Sequence, residues 1–473
     1  MEVSKAMPTM EAMVATPSQG VMARTSRPTR RAALATLMGA GTAGAATAMS
    51  ACAGPGAPPP GASRAARPAT IEVLHEFGPN SSDGRWMGEL LERIRQLAPH
   101  LTVKSTVTSG SSWDVLQTML AAGTAPDVSE TYVANGASLG AKKIAEPLQT
   151  ALKSARDWSP SDYFDGPREA FTYRGDFVLA PMFTAPMAVA VNQDMLSRAG
   201  LALPSPAWTW ETFTDYAVKL TRQTGGQVEV YGAAMPTTNG FGAMNFFGGP
   251  LWSHGGDWAD RERGVVTFHR PEGVAALEMW VSIALKRQAA PTSQPANWQG
   301  LSGTPFSNGL AAMAFIASPA VSNYLRQVTS FPWATVQMPR QKQQGSHFYA
   351  HGFFALRAAR EKEAAVEFVR LASLPEHVAH WNIASFGMPT RKSAAARKEW
   401  QDHLRTQPHL AAFNESLKYM RGYPPLPGWN EASVGPEGIG QALIDAVQGK
   451  AAPRTALEEA ARRADALLAQ QPR

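Results

Sequence analysis

Residues 173–213 constrain the fold of this chain more than any other segment. Within it, residues 187–191 are apolar and rich in β-favouring side chains, which predicts a strand buried on both faces. Asn192 ends this run, and residues 194–199 are predicted to form a helix that Gly200 stops. A buried strand followed at once by a helix is typical of an α/β sheet with helices packed against it.

Turn and cap signals lie on either side of that strand. Gly175 occupies a polar turn between two short apolar runs, which predicts a hairpin. Thr209 is a suitable N-cap for a second helix, and Glu211 places a negative charge in its first turn, where the helix dipole favours it. The segment therefore predicts a hairpin, a buried strand, a helix and a second, capped helix in succession.

Strands and helices also alternate along the rest of the chain. Strands are predicted over residues 70–74 and 101–107 and from Val128, separated by helices over 83–97 and 114–122. This alternation indicates an α/β fold with parallel strands. The later elements are predicted as a strand over 227–235, a loop rich in glycine and aromatic residues over 248–258, a strand over 265–268, a helix opened by Pro271, a helix over 361–374 and a terminal helix over 458–468.

Size and composition exclude several classes of protein. A chain of 473 residues is long enough for two or more domains, and 44% hydrophobic with 17% charged residues describes an ordinary globular protein. Residues 1–51 hold five basic and two acidic residues, which is half of the net charge of +6. Because no dense basic stripe is left in the rest of the sequence, nucleic acid is not an expected partner.

The first residues have the pattern of an export signal. Arg30 and Arg31 form a twin-arginine pair, and a mild, alanine-rich apolar run leads to Met-Ser-Ala before Cys52, the single cysteine. This order predicts a signal peptide over residues 1–51, with Cys52 lipidated in a lipobox and holding the protein to a membrane surface. Residues 52–69 are rich in Pro, Gly and Ala and are predicted to be a spacer. The alternative is an ordinary thiol in a disordered leader.

The chain contains several different short motifs, each at a defined position. They are Tyr173, Gly175, Pro181 and Asn192, then Ala199-Gly200-Leu201 and Thr209-Trp210-Glu211 with Phe213, the run Ala-Ala-Gly-Thr-Ala-Pro-Asp-Val over 121–128, Pro271-Glu272-Gly273-Val274 with Trp280, and Gly387 with Pro389 and Arg391. Together they resemble the extracellular solute-binding proteins of ABC importers, specifically the carbohydrate-binding family 1. Val191 departs from the pattern, since members often have an aromatic residue there. The resemblance covers residues 70–470.

This resemblance implies both a fold and a function. It implies a two-lobed α/β fold, periplasmic-binding-protein-like of type II, with a hinge that the chain crosses more than once and a ligand cleft between the lobes. The N-terminal lobe is expected over residues 70–185 plus about 345–375, and the C-terminal lobe over about 186–344 plus 376–473. It also implies an extracytoplasmic monomer without a cofactor, which captures a sugar or oligosaccharide and delivers it to the permease of an ABC importer.

Candidate ligand-binding residues lie at predicted strand ends, because ligands of open α/β sheets bind beyond the carboxyl ends of strands. Hydroxyls and carboxylates can hydrogen-bond to sugar hydroxyls, and aromatic faces pack on C–H surfaces. His75, Glu76 and Phe77 are candidates at the end of the first strand, Ser109, Ser111 and Ser112 at the end of the second, and Asp127, Glu130 and Tyr132 around the third. The further candidates are Trp252, Asp257, Ser318, the backbone near His351 and Gly352, and Phe386.

Structural roles compete with these assignments. Asp127 follows a proline and could cap a turn, and His75 could satisfy local backbone groups. Ser318 could cap a helix, Phe386 could pack beneath the cleft, and Trp252 could belong to the core.

Motifs of other chemistries are missing from the sequence. It contains no glycine-rich phosphate fingerprint after a strand, no P-loop, no HExxH and no GxSxG elbow. His347 and His351 are four residues apart on a predicted strand or loop, and no metal is expected there. The enzymatic alternative is an exported glycoside hydrolase, which needs two carboxylates flanking one bond; Glu76 and Asp257 are the pair to consider.

Overall fold

The computed structural model describes residues 67–236, 240–293, 295 and 304–472. The predicted signal peptide, Cys52 and the spacer as far as residue 66 lie outside the described residues. In the described part of the chain, no helix combines the length and apolar character that crossing a membrane requires. All elements below belong to the unit that begins at Pro68.

The strands form one large sheet and two small hairpins. The large sheet has nine strands in the order β2-β1-β3-β13-β6-β11-β8-β7, and β12 also pairs with β6. The strands are β1 (Ala69–His75), β2 (Leu101–Val107), β3 (Val128–Tyr132), β4 (Thr172–Tyr173), β5 (Asp176–Phe177), β6 (Ala180–Asn192), β7 (Arg222–Thr224), β8 (Gln227–Ala234), β9 (Ala259–Asp260), β10 (Val265–Val266), β11 (Ala311–Ala317), β12 (Trp333–Gln337) and β13 (Phe348–Ala355).

Helices connect the strands and dominate the last third of the chain. They are α1 (Ser82–Leu97), α2 (Ser112–Ala121), α3 (Gly136–Ala141), α4 (Leu148–Ala151), α5 (Asp165–Ala170), α6 (Gln193–Arg198), α7 (Trp210–Leu220), α8 (Gly240–Ser253), α9 (Pro271–Val281), α10 (Ala320–Gln327), α11 (Lys362–Ala372), α12 (Pro375–Ser385), α13 (Lys392–Ala395), α14 (Lys398–Thr406), α15 (Ala411–Ser416), α16 (Trp429–Val434), α17 (Ile439–Val447) and α18 (Pro453–Leu468).

Strand β6 joins the two halves of the large sheet. All of its residues are buried, which confirms the prediction of a strand covered on both faces. Its first part, as far as Pro186, pairs with β13, whereas its second part, from Met187, pairs with β11 on one side and β12 on the other. The fold is therefore α/β with two lobes that share one strand, and the hinge lies where the pairing partners change.

Hydrogen bonds concentrate at this change of partners. The Ser346 hydroxyl accepts from the Met187 amide at 3.2 Å and donates to the Met187 carbonyl at 3.0 Å. One residue earlier, the Pro186 carbonyl accepts from the Ser318 amide at 3.1 Å. Separate parts of the chain thus meet at the hinge, and their backbone groups are satisfied there although the site is buried.

Most of the local predictions are confirmed. β1, β2 and β3 are parallel neighbours, with α1 and α2 between them in sequence. The hairpin at Gly175 forms from β4 and β5. Gly200, with φ +67°, follows α6. Thr209 caps α7, since its hydroxyl accepts from the Thr212 amide at 3.2 Å.

Two predictions are wrong in part. Residues 248–258 were predicted to form a loop, but the first six of them belong to helix α8, with Pro250 inside it. Close packing overrides the low helix propensity of glycine here, because a Cβ at Gly248 would lie 2.9 Å from the Trp252 ring. The strand predicted over 265–268 contains only Val265–Val266.

The packing of α12 bears on the lobe boundary predicted at residue 375. The Trp381 indole of α12 donates to the Asp83 carboxylate of α1 at 2.7 Å and stacks on Trp86 with ring centroids 4.0 Å apart. Residues 375–385 therefore pack beside the first lobe, whereas the sequence assigned residues from 376 onward to the second.

Candidate functional site

Three charged side chains converge at the carboxyl ends of β1 and β3. Glu76 follows β1, Glu130 lies near the end of β3, and His351 lies on β13, next to β3. His351 Nδ1 hydrogen-bonds to Glu130 Oε1 and lies 3.6 Å from Glu76 Oε1. The convergence follows from the topology, because parallel strands end at the same edge of a sheet and His351 pairs directly opposite Tyr132.

Ser112 connects the two carboxylates. As the first residue of α2, it donates its backbone N–H to Glu76 Oε2 at 3.3 Å. Its hydroxyl donates to the Glu130 carbonyl at 3.0 Å and to Glu130 Oε2 at 3.3 Å. Its neighbour Ser111 is the N-cap of α2 and accepts from the Asp114 amide at 3.3 Å. The hydrogen bonds of Ser112 hold the two acids in place. Its hydroxyl proton is used by Glu130.

Burial and neighbouring charges perturb the titration of this cluster. Burial and then the Glu130 carboxylate raise the pKa of Glu76, against a smaller opposite effect of His351. Burial alone would lower the pKa of His351, but the carboxylates of Glu130, Glu76 and Asp83 outweigh it and raise that pKa to about 9. The neighbouring acids therefore favour the protonated, cationic form of the imidazole.

Aromatic rings surround the imidazole. The ring centroids of Tyr132, Phe183 and Tyr349 lie 5.7, 6.1 and 6.4 Å from that of His351. From the other lobe, Phe241 of α8 approaches Tyr132 to 5.7 Å while remaining 47% exposed. An exposed phenyl ring beside a tyrosine that itself contacts His351 offers an apolar face, which suits the C–H surface of a small molecule.

Asn245 of α8 forms a polar junction between the lobes. Its Oδ1 accepts from the Tyr132 and Tyr423 hydroxyls, each at 3.1 Å, and from His347 Nε2 at 3.0 Å. Burial lowers the pKa of His347 to about 3, so this imidazole is neutral and its single proton can serve the bond to Asn245. Because Tyr132 ends β3 in the first lobe, the network spans the cleft beside the charged cluster.

Three predicted site residues, His75, Phe77 and Ser109, have other surroundings. The buried His75 accepts the Phe77 amide on Nδ1 at 3.1 Å and pairs with the Ser105 hydroxyl through Nε2 at 2.7 Å, and burial lowers its pKa to about 4. The Phe77 ring packs in the core at 5.2 Å from Trp381. Ser109 is exposed in the loop after β2.

Others are placed away from the cluster. Asp127 precedes β3, at the opposite end from Tyr132, and its buried carboxylate accepts from the backbone amides of Glu72 at 2.9 Å and Arg360 at 2.8 Å. Gly352 faces β6, where a Cβ would lie 2.3 Å from the Ala180 carbonyl oxygen. Asp127 is needed as an acceptor for backbone amides, and Gly352 is needed because no side chain fits there.

The remaining candidates also have structural contacts. The buried Trp252 donates its indole N–H to Asp257 Oδ1 at 3.0 Å, and the other oxygen of Asp257 lies 3.5 Å from Arg421. The Ser318 hydroxyl is buried beside the hinge without a hydrogen-bond partner among the described residues. Phe386 caps α12 with φ 57° and packs at 5.3 Å from His403.

The acids that the structure pairs differ from those considered for a hydrolase. Glu76 contacts Ser112 and His351 and is coupled to Glu130, whereas Asp257 contacts Trp252 and Arg421. Within the described ranges, Glu76, Glu130 and His351 are also the only three side chains whose metal-ligating atoms lie within 4.8 Å of one another. The imidazole nitrogen that faces both acids already bonds to Glu130, so the geometry is that of an ion pair.

Several residues of the site were missed by sequence reasoning. Tyr349 carried a usable signal, because it alternates with His351 on β13 and so shares its face. Phe241, Asn245 and Tyr423 carried none, since their positions depend on how α8 and the segment after α15 pack against the first lobe.

Two α/β lobes that share one strand, with charged and aromatic side chains meeting beside the hinge, define a protein built to enclose a small solute. The family described as bacterial extracellular solute-binding protein matches residues 78–379, and the chain belongs to that family. Membership gives it a solute-binding role outside the cytoplasm.

Individual relatives are distant. The sn-glycerol-3-phosphate-binding periplasmic protein UgpB of Pectobacterium atrosepticum is 24% identical over 415 residues, covering 80% of this chain and 89% of that protein. Among solved structures, the ABC substrate-binding protein Lmo0181 of Listeria monocytogenes in complex with cycloalternan has a TM-score of 0.71 at 23% identity, over 85% of this chain and 99% of that one. UgpB of Mycobacterium tuberculosis in complex with glycerophosphocholine has a TM-score of 0.70 at 18% identity, with the same coverage. These similarities support the two-lobed fold.

Proposed function

We propose that this protein captures a sugar or oligosaccharide outside the cytoplasm and delivers it to the permease of an ABC importer. The observation that carries the proposal is the meeting of Glu76, Glu130 and His351 with Tyr132 and Phe241 at the junction of the lobes. Carboxylates accept hydrogen bonds from sugar hydroxyls, and aromatic faces cover sugar C–H surfaces. The cycloalternan-bound relative supports the same class of ligand.

Capture would proceed by closure of the lobes about the hinge at Pro186 and Met187. A ligand that touches both lobes favours the closed state, and the closed surface is what a permease can recognise. We place the lobes over residues 70–185 plus about 345–375 and about 186–344 plus 376–473, and the packing of α12 on α1 favours extending the first lobe to Ser385. The protein would act as a monomer, without a cofactor or turnover of its ligand.

The amino-terminal segment would export and anchor the protein. We propose twin-arginine export by residues 1–51, lipidation of Cys52 and a flexible spacer over 52–69. Expression of the wild type and of Cys52→Ser in a bacterial host tests this. The wild type should sediment with membranes and the variant should be soluble, and equal partitioning of the two would refute the anchor.

Thermal melting against a ligand panel tests the function. The panel contains mono- and oligosaccharides and polyol phosphates, and a ligand at about 1,000 times its dissociation constant should add about 4 kcal/mol to the free energy of unfolding. A stabilising sugar recovered unchanged supports the proposal. Stabilisation by polyol phosphates alone would refute a sugar ligand, and conversion of the sugar would refute a purely binding role.

A further inference from the structure

We propose that His351 sets the charge selectivity of the cleft by acting as a built-in counter-ion for Glu76 and Glu130, so that the site accepts an uncharged ligand in preference to a cation or a phosphate ester. The inference rests on the proposed function, because it concerns the ligand of the same cleft. His351 would thus determine the specificity of the cleft, and the ligands would be neutral sugars.

The first step is the need of the acids for a cation. Glu130 has no exposed side-chain surface, and an ionised carboxylate buried in this way is costly unless it is paired and hydrogen-bonded. His351 Nδ1 supplies the pairing, and the Ser112 hydroxyl supplies a second hydrogen bond. The same nitrogen lies 3.6 Å from Glu76, so one positive charge serves two carboxylates.

The second step is that His351 has no substitute. Within the ranges that the structure describes, it is the only basic side chain within 4.0 Å of the carboxylate of Glu76 or Glu130. The charge of a third acid, Asp83 of α1, also raises the pKa of His351, and the charge of Arg85 lowers the pKa of Asp83. The other groups that face His351 are the rings of Tyr132, Phe183 and Tyr349.

The third step is the consequence for a ligand. The Glu76 side chain is 32% exposed and can accept hydrogen bonds from sugar hydroxyls, which leave the ion pairs intact. A phosphate would be repelled by the same carboxylate. An ammonium group would compete with an imidazolium that is already in place, and would gain little. The arrangement therefore favours a neutral ligand over either charged class.

Two opposite substitutions test the inference in the full-length protein. His351→Asn keeps a hydrogen-bond donor near Glu130 but removes the positive charge, whereas Glu76→Gln removes a negative charge and leaves His351. Calorimetry would measure the dissociation constants of glucose, glucosamine and glucose 6-phosphate. His351→Asn should shift the glucosamine-to-glucose affinity ratio about tenfold towards glucosamine, and Glu76→Gln should shift the phosphate-to-glucose ratio about tenfold towards the phosphate. Unchanged ratios in both variants would overturn the inference while leaving sugar binding intact.

A measurement without ligand separates a failure of the inference from a failure of the proposed function. Nitrogen NMR of histidine-labelled protein, with the His351 signal assigned by its loss in His351→Asn, reports the charge of the imidazole directly. It should be a cation at pH 7.5 in the wild type and should lose its proton at lower pH in Glu76→Gln. A neutral imidazole at pH 7.5 would refute the counter-ion role. If it is charged but no sugar binds, the proposed function fails instead.

Discussion

Replacing Asn245 by alanine should strongly destabilise the protein, because Asn245 is a shared acceptor at the junction of the lobes. Its Oδ1 accepts from Tyr132, Tyr423 and His347 at 3.0–3.1 Å. Tyr423 and His347 are buried, so both donors would be left without water or a partner, at a cost of about 1–3 kcal/mol each. Tyr132 is partly exposed and can turn to solvent, and adds about 1 kcal/mol at most. The expected loss is therefore about 2–7 kcal/mol.

Urea unfolding followed by circular dichroism and tryptophan fluorescence measures this loss. Asn308→Ala is the matched control, because Asn308 is exposed and its side chain donates to one described group, the Thr304 carbonyl, at 2.9 Å. It should cost under about 0.5 kcal/mol. Tyr132→Phe, alone and combined with Asn245→Ala, should give a coupling energy of about 0.5–1.5 kcal/mol. A loss below about 1 kcal/mol in Asn245→Ala, or a coupling near zero, would refute the shared acceptor.

Three further predictions concern stability. The pKa of His351 is raised from 6.5 to about 9, so its contribution to the free energy of unfolding is complete below pH 6.5 and is lost as the pH rises through 9. His351→Asn should therefore flatten the alkaline limb of a profile of stability against pH, and an unchanged limb would contradict this. Gly352→Ala should cost about 1–3 kcal/mol or more in urea unfolding, because its Cβ would lie 2.3 Å from the Ala180 oxygen, and a neutral effect would show that β6 can move away. Asp127→Ala should cost about 1–3 kcal/mol by removing the acceptor of the Arg360 amide, yet leave the dissociation constant of any stabilising sugar unchanged; weaker sugar binding would return Asp127 to the site.

The central strand and the parallel strands β1, β2 and β3 could be predicted because local signals and burial agree there. Residues 187–191 are apolar throughout, and the structure buries every residue of β6. What the pattern did not contain was the length of that strand or its role in both lobes. Pro181 and Pro186 argue against a central strand, since each lacks an amide for the ladder. The Pro186 carbonyl still accepts from Ser318, and the pairing partners change at this position, so the proline lies where the ladder needs fewest donors.

The error over α8 has a different cause. Glycines lower helix propensity, and residues 248–258 were therefore predicted to form a loop. In the structure, Gly249 lies beside Gly345, where a Cβ would approach the Gly249 carbonyl oxygen to 2.7 Å, so the glycines allow close approach instead of ending the helix. Asn245 and Phe241 were missed because no helix was predicted over the first part of α8, and that helix brings them to the junction of the lobes. No local signal distinguishes a glycine that breaks a helix from one that lets a neighbouring segment pack against it.

The rule that ligands bind at the carboxyl ends of parallel strands separates the candidates once the strand bounds are known. Glu76 follows β1, Glu130 is the middle residue of β3 and Tyr132 is its last; the two acids contact His351, and Tyr132 pairs opposite it. Asp127 precedes β3 and points to the other edge, where it bonds to backbone amides. Asp127 and Glu130 are only three residues apart, yet one carboxylate bonds to backbone amides and the other to His351. The direction of that strand was predicted from the sequence, and applying the rule to each candidate in turn would have ranked Asp127, which precedes the strand, below Glu130 and Tyr132 as a ligand-binding candidate.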